Sequence, residues 1–358
     1  MSLRRYADAS SQSLATIPRG AKLKLISWYG KFARVEYNGI KGYVLANYIA
    51  PDNGYFINTV LDTVSVTATY PYEQMLDDLI EFDQRYPDLV DLEIIGYTTM
   101  GEQIPVIRVG NENAKYHILF QASIHGREHA TTWVLMALLD YWLDRGIDAY
   151  TDTCFHIIPM VNPDGVRISQ TATLPDSLLA VYQNDLKNGY TSLSKEAYAK
   201  NWKANGRGVD LNRNFDAGWS SITNRTSPSS ELYRGTSVFS EPETQALRDY
   251  TQRYTFNTTI SYHAMGSAVY YDYGNNTAVN NKGLSLGREV CSVTGYHLID
   301  SVGIDSAGYK DWVIQELKIP SLTVEIGSQS APLAERELYS TLIRNLKVFD
   351  TVVQWLRK

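Results

Sequence analysis

Residues 116–145 read YHILFQASIHGREHATTWVLMALLDYWLDR, and this segment gives the clearest indication of the fold class. Its first seven residues form an apolar run of the length of a buried strand. From residue 129 to residue 144, apolar side chains recur at helical spacing on one face, namely Val134, Ala137, Leu138 and Tyr141. A buried strand followed at once by a helix is typical of α/β domains, in which helices cover a central sheet.

The same alternation continues on both sides of this stretch. Apolar runs predict further buried strands at residues 155–161, 257–262 and 321–326. Helical periodicity predicts helices at residues 72–86, 242–254, 282–294 and 335–356, the first of which stops at Pro87. Strands and helices in this order predict an α/β domain with a largely parallel or mixed sheet.

The first 50 residues follow a different pattern. Residues 22–27 alternate between polar and apolar, and the runs 32–37 and 40–45 are joined by Asn38-Gly39. Asn-Gly between two such runs is a strong hairpin signal, because a type I′ turn needs positive φ at both central residues. Turn-forming residues follow at 51–54. We therefore expect a small all-β domain over residues 1–50, a linker over 51–70 and the α/β domain over 71–358.

Composition and charge limit the classes of protein to which the chain can belong. Of the 358 residues, 44% are hydrophobic, and 33 basic against 39 acidic residues give a net charge of −6. This composition is globular, and the acidic balance argues against nucleic acid as the main partner. No apolar run approaches the roughly 20 residues that span a bilayer. The first residues, MSLRRYADASSQ, lack the apolar segment of a signal peptide.

Two smaller features of the composition leave alternatives open. Residues 1–50 contain eight basic and two acidic residues, so the small domain is basic and the rest of the chain acidic. This asymmetry favours a basic module joined to an acidic body, although a small domain can also carry its surface charge unevenly by chance. Cys154 and Cys291 are the only cysteines, and both two free thiols and a single disulfide are compatible with them.

A metal-binding pattern follows the strand predicted at 116–122. The pentad HGREH at 125–129 contains imidazole and carboxylate side chains, the ligand types that catalytic zinc sites use in threes. In one interpretation His125 and Glu128 are ligands. In the other the pentad is helical, His125 and His129 bind the metal, and Glu128 is the base. Because Gly126 comes so soon after the strand, we favour the first interpretation.

Four further segments follow in the order and approximate spacing of one known family. They are NPDG at 162–165, GVDLNRNF at 208–215, SYH at 261–263 and LTVE at 322–325. Together with HGREH, they make the larger domain resemble the zinc carboxypeptidase family. The resemblance implies an α/β fold with a mixed eight-stranded sheet flanked by helices. Residues 18–27 and 30–49 resemble a bacterial SH3-like domain, a small all-β barrel whose relatives often bind the cell wall.

The resemblance also implies the roles of individual residues around one Zn²⁺ ion per chain. His125, Glu128 and His263 match the three zinc ligands of the family. Asp210 matches the residue that hydrogen-bonds the first ligand histidine, and such a partner fixes the orientation of the ring. Glu325 matches the general base, and a carboxylate beside a catalytic metal can accept a proton from water.

Three more residues match the groups that hold a carboxylate of the substrate. These are Arg127, Asn212 and Arg213, and arginine suits the role because its planar fork donates two parallel hydrogen bonds. The family usually has an arginine after the tryptophan upstream of this loop, where it stabilises the oxyanion. Here Lys203 follows Trp202. Either Lys203 performs that role as a point charge or Arg127 does.

The mobile tyrosine of the family has no clean match. Tyr309 lies near its position in GIDSAGYKDW, but counting back from Asp311-Trp312 leads to Gly303. We therefore consider Tyr309 as a candidate substrate-binding residue, and favour a core aromatic as the interpretation of its side chain.

The nearest resemblance is to a bacterial branch of the family that cleaves the γ-D-glutamyl–diaminopimelate bond of peptidoglycan stem peptides. WKANGRGVD at 202–210 and the H-x-R-E-H-A start carry this likeness. The basic SH3-like domain agrees with it, since cell walls are polyanionic. The resemblance implies a zinc peptidase that is secreted or associated with the cell wall, with stem peptides as substrate and wall polymer bound by the N-terminal domain.

Three alternatives use the same residues. An exo-acting carboxypeptidase on ordinary peptides needs the same zinc site and differs in its pocket. An amidase or deacylase of N-acyl amino acids also uses H-x-x-E with a later histidine, but usually lacks the whole GVDLNRNF segment. The chain could also be a wall-binding protein with an inert catalytic domain, which the presence of all expected ligands argues against.

Overall fold

The computed structural model describes residues 1–18, 20–29, 32–45, 49, 61–65, 67, 69–147, 150–301 and 307–358. Within these ranges the strands form two sheets, one of five strands and one of eight.

The N-terminal sheet is antiparallel and has the order β2-β1-β5-β4-β3. Its strands are β1 (Ser2–Arg4), β2 (Ser13–Thr16), β3 (Lys24–Tyr29), β4 (Phe32–Tyr37) and β5 (Ile40–Leu45). The turn between β4 and β5 has φ of 49° at Asn38 and 78° at Gly39, which confirms the predicted hairpin. Alternate side chains of these strands, among them Leu3, Val35 and Val44, form a small core. The prediction of a small all-β N-terminal region is confirmed.

The larger sheet is mixed and has the order β12-β11-β13-β10-β8-β9-β7-β6. Its four central strands, β13, β10, β8 and β9, are parallel, and antiparallel pairs occur nearer the edges. The strands are β6 (Val90–Tyr97), β7 (Gln103–Val109), β8 (Tyr116–Gln121), β9 (Thr153–Ile158), β10 (Thr258–Ala264), β11 (Ala268–Tyr270), β12 (His297–Ile299) and β13 (Ser321–Ile326). The predicted mixed eight-stranded sheet is therefore confirmed.

Helices pack against this sheet. The α-helices are Tyr72–Arg85, Ala130–Leu143, Pro163–Thr171, Leu179–Lys187, Lys195–Lys200, Pro242–Arg253, Thr277–Thr294, Tyr309–Trp312, Glu335–Asn345 and Val348–Leu356. Shorter helical turns lie at Gly126–Glu128, Asp176–Leu178, Leu211–Arg213, Trp219–Ser221 and Val313–Leu317. The helix Ala130–Leu143 is buried on nearly all sides, because it fills the main core beside β8 and β10. No helix among these has the length and apolar character needed to cross a membrane.

One sequence prediction about the elements is wrong in detail. The helix predicted at 335–356 is two helices, and the indole Nε1 of Trp142 donates to the carbonyl of Leu346 at 2.8 Å, where the break lies. In addition, part of the expected linker packs on the larger domain, since Leu61, Val64 and Tyr70 are buried in its core. Asp140 Oδ2 accepts hydrogen bonds from the backbone of Thr63 and Val64. Residues 51–60 of that linker lie outside the described part of the chain.

Both cysteines are free thiols, so the disulfide alternative is excluded.

Candidate active site

The three expected zinc ligands come together at one edge of the large sheet. His125 lies four residues beyond the end of β8, Glu128 lies in the helical turn that follows, and His263 is near the end of β10. Because β8 and β10 are parallel neighbours, their carboxyl ends meet at the same edge. Gly126 is required in this turn, since a Cβ there would lie 2.3 Å from the carbonyl oxygen of Gly165 in the NPDG segment.

The geometry of these side chains fits a single metal ion. His125 Nδ1 lies 2.9 Å from Glu128 Oε1, and His263 Nδ1 lies 3.0 Å from Glu128 Oε2. One ligand atom from each residue lies within 4.8 Å of the others, and all three side chains are buried. Two ligand atoms bound at about 2 Å to one tetrahedral zinc are about 3.3 Å apart, so small shifts admit the ion. Without a cation, this carboxylate and its two imidazoles would be a costly group to bury.

Among the described residues, His129 belongs to neither group of side chains that could hold a metal ion. His129 is buried at the start of the helix Ala130–Leu143, while His263 faces the carboxylate of Glu128. Burial lowers the pKa of His129 to about 4, so its ring is neutral. The structure therefore favours the interpretation in which Glu128 is a ligand.

Asp210 contacts the outer nitrogen of the first ligand histidine. Its Oδ1 accepts from His125 Nε2 at 3.2 Å, and its Oδ2 accepts from the backbone N–H of Leu232 at 3.0 Å. Burial alone raises the pKa of Asp210, but the opposing effect of His125, with Lys203 and Arg213 nearby, holds this pKa well below its usual value. The ionised carboxylate can thus keep the Nε2 proton in place and leave Nδ1 for the metal.

Glu325 lies beside the ligands on the neighbouring strand. In the parallel pair of β10 and β13, His263 is directly opposite Glu325. Burial raises the pKa of Glu325 to about 7, the charge of His263 opposes this, and the nearby Glu128 carboxylate adds to it. The side chain still opens into a cavity. A carboxylate with a pKa near neutrality is suited to accept and return a proton.

The cavity next to Glu325 has a volume of about 490 Å³, and four other residues expected at the site line it. Arg127, Lys203, Asn212 and Arg213 all line it. The carbonyl of Lys203 accepts from the N–H of Gly126, which ties its loop to the ligand turn. Among the described residues, the buried Nε of Arg127 has no hydrogen-bond partner, and Nη1 of the same guanidinium lies 3.6 Å from Glu231 Oε2. These four residues bring positive charge and hydrogen-bond donors next to the metal ligands.

Tyr309 does not line the cavity, and its side chain has the position of a core aromatic. Its ring is fully buried against Phe215 and Trp312, and its hydroxyl lies 3.0 Å from Thr251 Oγ1. Its backbone N–H, however, donates to Asn212 Oδ1 at 2.9 Å. Tyr309 therefore positions Asn212, whose Nδ2 group remains to donate to a ligand. Gly303 lies outside the described residues.

Several residues of the cavity were not identified from the sequence. They are Met265, Tyr270, Ser301, Lys310, Asp311 and Thr323. Thr323 had a detectable signal, because it lies two residues before Glu325 on one strand and so shares its face. For Lys310 and Asp311 no local pattern distinguishes a cavity position from a surface one.

Comparison with known proteins finds a family match for each of the two regions of the chain. The zinc carboxypeptidase family matches residues 75–341, and the bacterial SH3 domain family matches residues 1–50. Gamma-D-glutamyl-L-diamino acid endopeptidase 1 of Lysinibacillus sphaericus is 31% identical over 303 residues, which cover 80% of this chain and 69% of that protein. Carboxypeptidase B of Helicoverpa zea is 26% identical over 61% of this chain and 49% of its own length. The chain thus spans about half of that relative.

Among solved structures, bovine thrombin-activatable fibrinolysis inhibitor superposes with a TM-score of 0.61. The sequence identity is 21%, and the match covers 81% of this chain and 98% of that one. At this identity the likeness shows a shared fold.

Proposed function

The chain belongs to the zinc carboxypeptidase family, and from this premise we propose that it hydrolyses the γ-D-glutamyl–diamino acid bond of peptidoglycan stem peptides. The observation that carries a hydrolytic function is the meeting of three metal-ligand side chains, a carboxylate of raised pKa and several cationic donors in one cavity. The choice of bond is supported by the likeness to the Lysinibacillus sphaericus protein, which is named for that linkage.

Glu325 is the general base and then the general acid of the proposed reaction. His125, Glu128 and His263 would hold a zinc ion, which would supply a Lewis acid next to the scissile carbonyl. Glu325 accepts a proton from the attacking water, whose oxygen forms the new bond to the carbonyl carbon of the γ-carboxyl group. It then returns this proton to the nitrogen of the diamino acid as the C–N bond breaks. The products are a free carboxylate and a free amine.

Cationic side chains stabilise the charge that develops in this step. The guanidinium of Arg127 and the ammonium of Lys203 both line the cavity beside Glu325, and both lower its pKa through their charge. Either can face the oxyanion, and a donor fixed in advance loses little on reaction. Arg127 has the unpartnered buried Nε, so we assign it this role before Lys203.

Asn212 and Arg213 hold the carboxylate of the leaving diamino acid. Asn212 is fixed through its Oδ1 by the N–H of Tyr309, and Arg213 Nη1 donates to the carbonyl of Asn212 at 2.9 Å. The side chain of Asn212 is thus held in place, while the guanidinium of Arg213 presents its remaining donors to the cavity. Such a bidentate arrangement favours a planar carboxylate.

The N-terminal domain brings the catalytic domain to the wall in this proposal. The match to bacterial SH3 domains and the basic charge of residues 1–50 support binding to an anionic polymer, and hence action outside the cell or at its wall. Sedimentation of the full chain with purified peptidoglycan tests this. We expect binding that weakens as salt rises, and no sedimentation at low salt would contradict it.

An exo-acting carboxypeptidase is the second candidate, because Arg127, Asn212 and Arg213 would equally hold the terminal carboxylate of an ordinary peptide. The 26% identical relative from Helicoverpa zea is a carboxypeptidase B by name. The two functions differ in the group that supplies the scissile carbonyl. It is the γ-carboxyl group of D-glutamate in the first function and an ordinary peptide carbonyl in the second.

One incubation separates the two. Zinc-loaded protein is mixed with L-Ala-γ-D-Glu-diaminopimelate and, in parallel, with ordinary peptides, and products are identified by mass spectrometry. Release of diaminopimelate without trimming of the ordinary peptides is the expected result. Stepwise loss of C-terminal residues, with the γ-linked bond intact, would instead identify an exo-acting carboxypeptidase.

A further inference from the structure

A buried carboxylate on the helix Leu179–Lys187 has no part in the proposed chemistry. Asp185 is 1% exposed and is not among the described residues that line the active-site cavity. Its Oδ2 accepts from the hydroxyl groups of Tyr198 at 2.5 Å and Ser229 at 2.7 Å, and from the N–H of Ser230 at 3.4 Å. A carboxylate is costly to bury, and these donors offset the cost only while they stay in place. Asp185 therefore fixes the position of Ser229 and Ser230.

The hydroxyl of Tyr198 adds a second contact at the same place. While it donates to Asp185, it accepts from the N–H of Ser230 at 3.2 Å. Burial is the main effect on the pKa of Tyr198 and raises it above its usual value, so the hydroxyl keeps the proton that it donates. Its ring packs against Trp202, the residue directly before Lys203. Asp185 and Tyr198 thus act as one unit that holds the N–H of Ser230.

Residues 229–233, which we call the anchoring loop, connect this unit to the backbone of the active site. The carbonyl of Ser230 accepts from the N–H of Lys203 at 3.0 Å. The carbonyl of Lys203 in turn accepts from the N–H of Gly126 at 3.1 Å, in the turn that carries two of the zinc-ligand side chains. A chain of three hydrogen bonds therefore links Asp185 to the turn at the metal centre.

The anchoring loop also holds the carboxylate that orients the first ligand histidine. The N–H of Leu232 donates to Asp210 Oδ2 at 3.0 Å, and the carbonyl of Tyr233 accepts from the N–H of Asp210 at 2.8 Å. Glu231 Oε2, in the same loop, lies 3.6 Å from Nη1 of Arg127. The loop therefore contacts both the surroundings of the metal centre and the two cations that can face the oxyanion.

We propose that Asp185 is a positioning residue for the active site and acts through the anchoring loop. It keeps Lys203 in the cavity wall beside the oxyanion, and it keeps Asp210 on the ring of His125. The conformation of the loop needs such support, because Leu232 has φ of 65°, in the left-handed region that leucine rarely adopts. The part that concerns Lys203 rests on the proposed function, whereas the effect on zinc binding through Asp210 is independent of the substrate.

Asp185→Asn tests the residue, since asparagine keeps the shape of the side chain and removes the charge that its donors share. We expect the dissociation constant of zinc to rise by about threefold to tenfold, less than for the loss of a group that touches a ligand directly. At saturating zinc, kcat should fall by about tenfold with little change in KM, because displaced oxyanion donors weaken the binding of the transition state alone. Asp176→Asn, at an exposed site in the turn before the same helix, is the matched control and should change neither quantity.

Two measurements separate positioning from a purely structural role, and neither needs a substrate. Competition with a chelator gives the dissociation constant of zinc. The visible absorption of the protein loaded with Co²⁺ reports the arrangement of the ligand side chains, and we expect Asp185→Asn to shift it. A purely structural residue would lower the free energy of unfolding and leave the zinc constant, the cobalt spectrum and kcat of the folded protein unchanged. That result would overturn the inference.

Tyr198→Phe provides a second variant, because it removes one hydroxyl and keeps the ring against Trp202. We expect changes of the same kind and smaller size, and Tyr190→Phe, at an exposed site, is the control. If Asp185→Asn does not fold, Tyr198→Phe decides by the same measurements. Failure of the unmodified chain to hydrolyse the γ-linked tripeptide would overturn the proposed function, and the zinc and cobalt measurements would still decide the inference.

Discussion

Among the described residues, two groups of metal-ligating side chains lie on or next to the large sheet, and one of the two has the surroundings of a metal centre. The zinc group is His125, Glu128 and His263, and the second group is His117, Cys154 and His156. In both, one ligand atom from each residue lies within 4.8 Å of the others. Proximity of ligand atoms therefore does not distinguish them.

The surrounding charges do distinguish them. The zinc group contains one carboxylate and lies next to Asp210 and Glu325, so a divalent cation is attracted. In the second group, burial lowers the pKa of His156 to about 3. The charges of His117 and of the nearby Arg108 guanidinium contribute to this shift. Burial raises the pKa of the Cys154 thiol to about 12, which opposes the thiolate that a metal needs.

The hydrogen bonds of the second group also argue against a metal centre. His117 Nδ1 lies 2.9 Å from His156 Nε2, and His156 Nδ1 lies 2.7 Å from the hydroxyl of Tyr250. The ring nitrogens of the second group thus have protein partners and pack among aromatic rings such as Tyr254 and Phe256. None of its members is among the described residues that line the active-site cavity. A cluster of ligand-type residues becomes a metal centre where its charges need a cation and a ligand can reach it.

The largest effect we expect is on the base beside the zinc group. Glu325→Gln should keep zinc and lose at least about 10²-fold in kcat, because the amide cannot accept the proton of water. Zinc content and turnover are measured on the same sample. Glu316→Gln, at an exposed site near the same sheet, is the matched control. Full turnover by a zinc-replete Glu325→Gln protein would remove Glu325 from the mechanism.

The next effect concerns the acidic surroundings of the zinc group. Asp210→Asn should weaken zinc binding by about 10- to 100-fold, since the charged acceptor that orients His125 is lost. Competition with a chelator measures the dissociation constant, and Asp249→Asn on the exposed face of the helix Pro242–Arg253 serves as control. An unchanged dissociation constant would show that the carboxylate of Asp210 contributes nothing to zinc binding.

A pH dependence follows from the same base. Burial raises the pKa of Glu325 to about 7, and only the ionised form accepts a proton. Activity should therefore fall as pH decreases through the pKa, by up to about tenfold per unit, and the positive charge of bound zinc places the inflection at or below 7. The pH profile of kcat/KM at saturating zinc tests this sign. Activity that rises on acidification would contradict it.

The smallest effect belongs to the second group. Cys154→Ala should leave zinc content and kcat unchanged and cost about 1 kcal/mol of the free energy of unfolding, as usual for trimming a buried side chain. Denaturant unfolding and zinc analysis of the variant measure both quantities. A drop in zinc content would mean that the second group binds metal after all.

The sequence allowed most of the fold and the zinc group to be predicted, because strand and helix periodicity are local and the ligand motifs keep their spacing. What could not be predicted depends on contacts between distant residues. The break at Leu346 coincides with a hydrogen bond from Trp142, which lies 204 positions earlier. Lys310 and Asp311 enter the cavity because the chain brings their helix to Asn212, 97 positions before Tyr309.

Tyr309 shows that spacing along the chain does not predict where a side chain points. Its place near a family motif suggested a substrate contact, yet its ring is enclosed by Phe215 and Trp312. Only its backbone reaches the site. Spacing along the chain correctly placed Tyr309 near the site. Packing of its ring in the core leaves the backbone N–H as the group that contacts Asn212.

Zinc stoichiometry tests most directly that the chain has one metal centre, formed by the zinc group. Native mass spectrometry after dialysis is applied to the unmodified chain, to His263→Ala and to Cys154→Ala. We expect one zinc ion per chain in the unmodified protein and in Cys154→Ala, and none in His263→Ala. Two ions in the unmodified protein with one lost in Cys154→Ala, or full occupancy in His263→Ala, would contradict it.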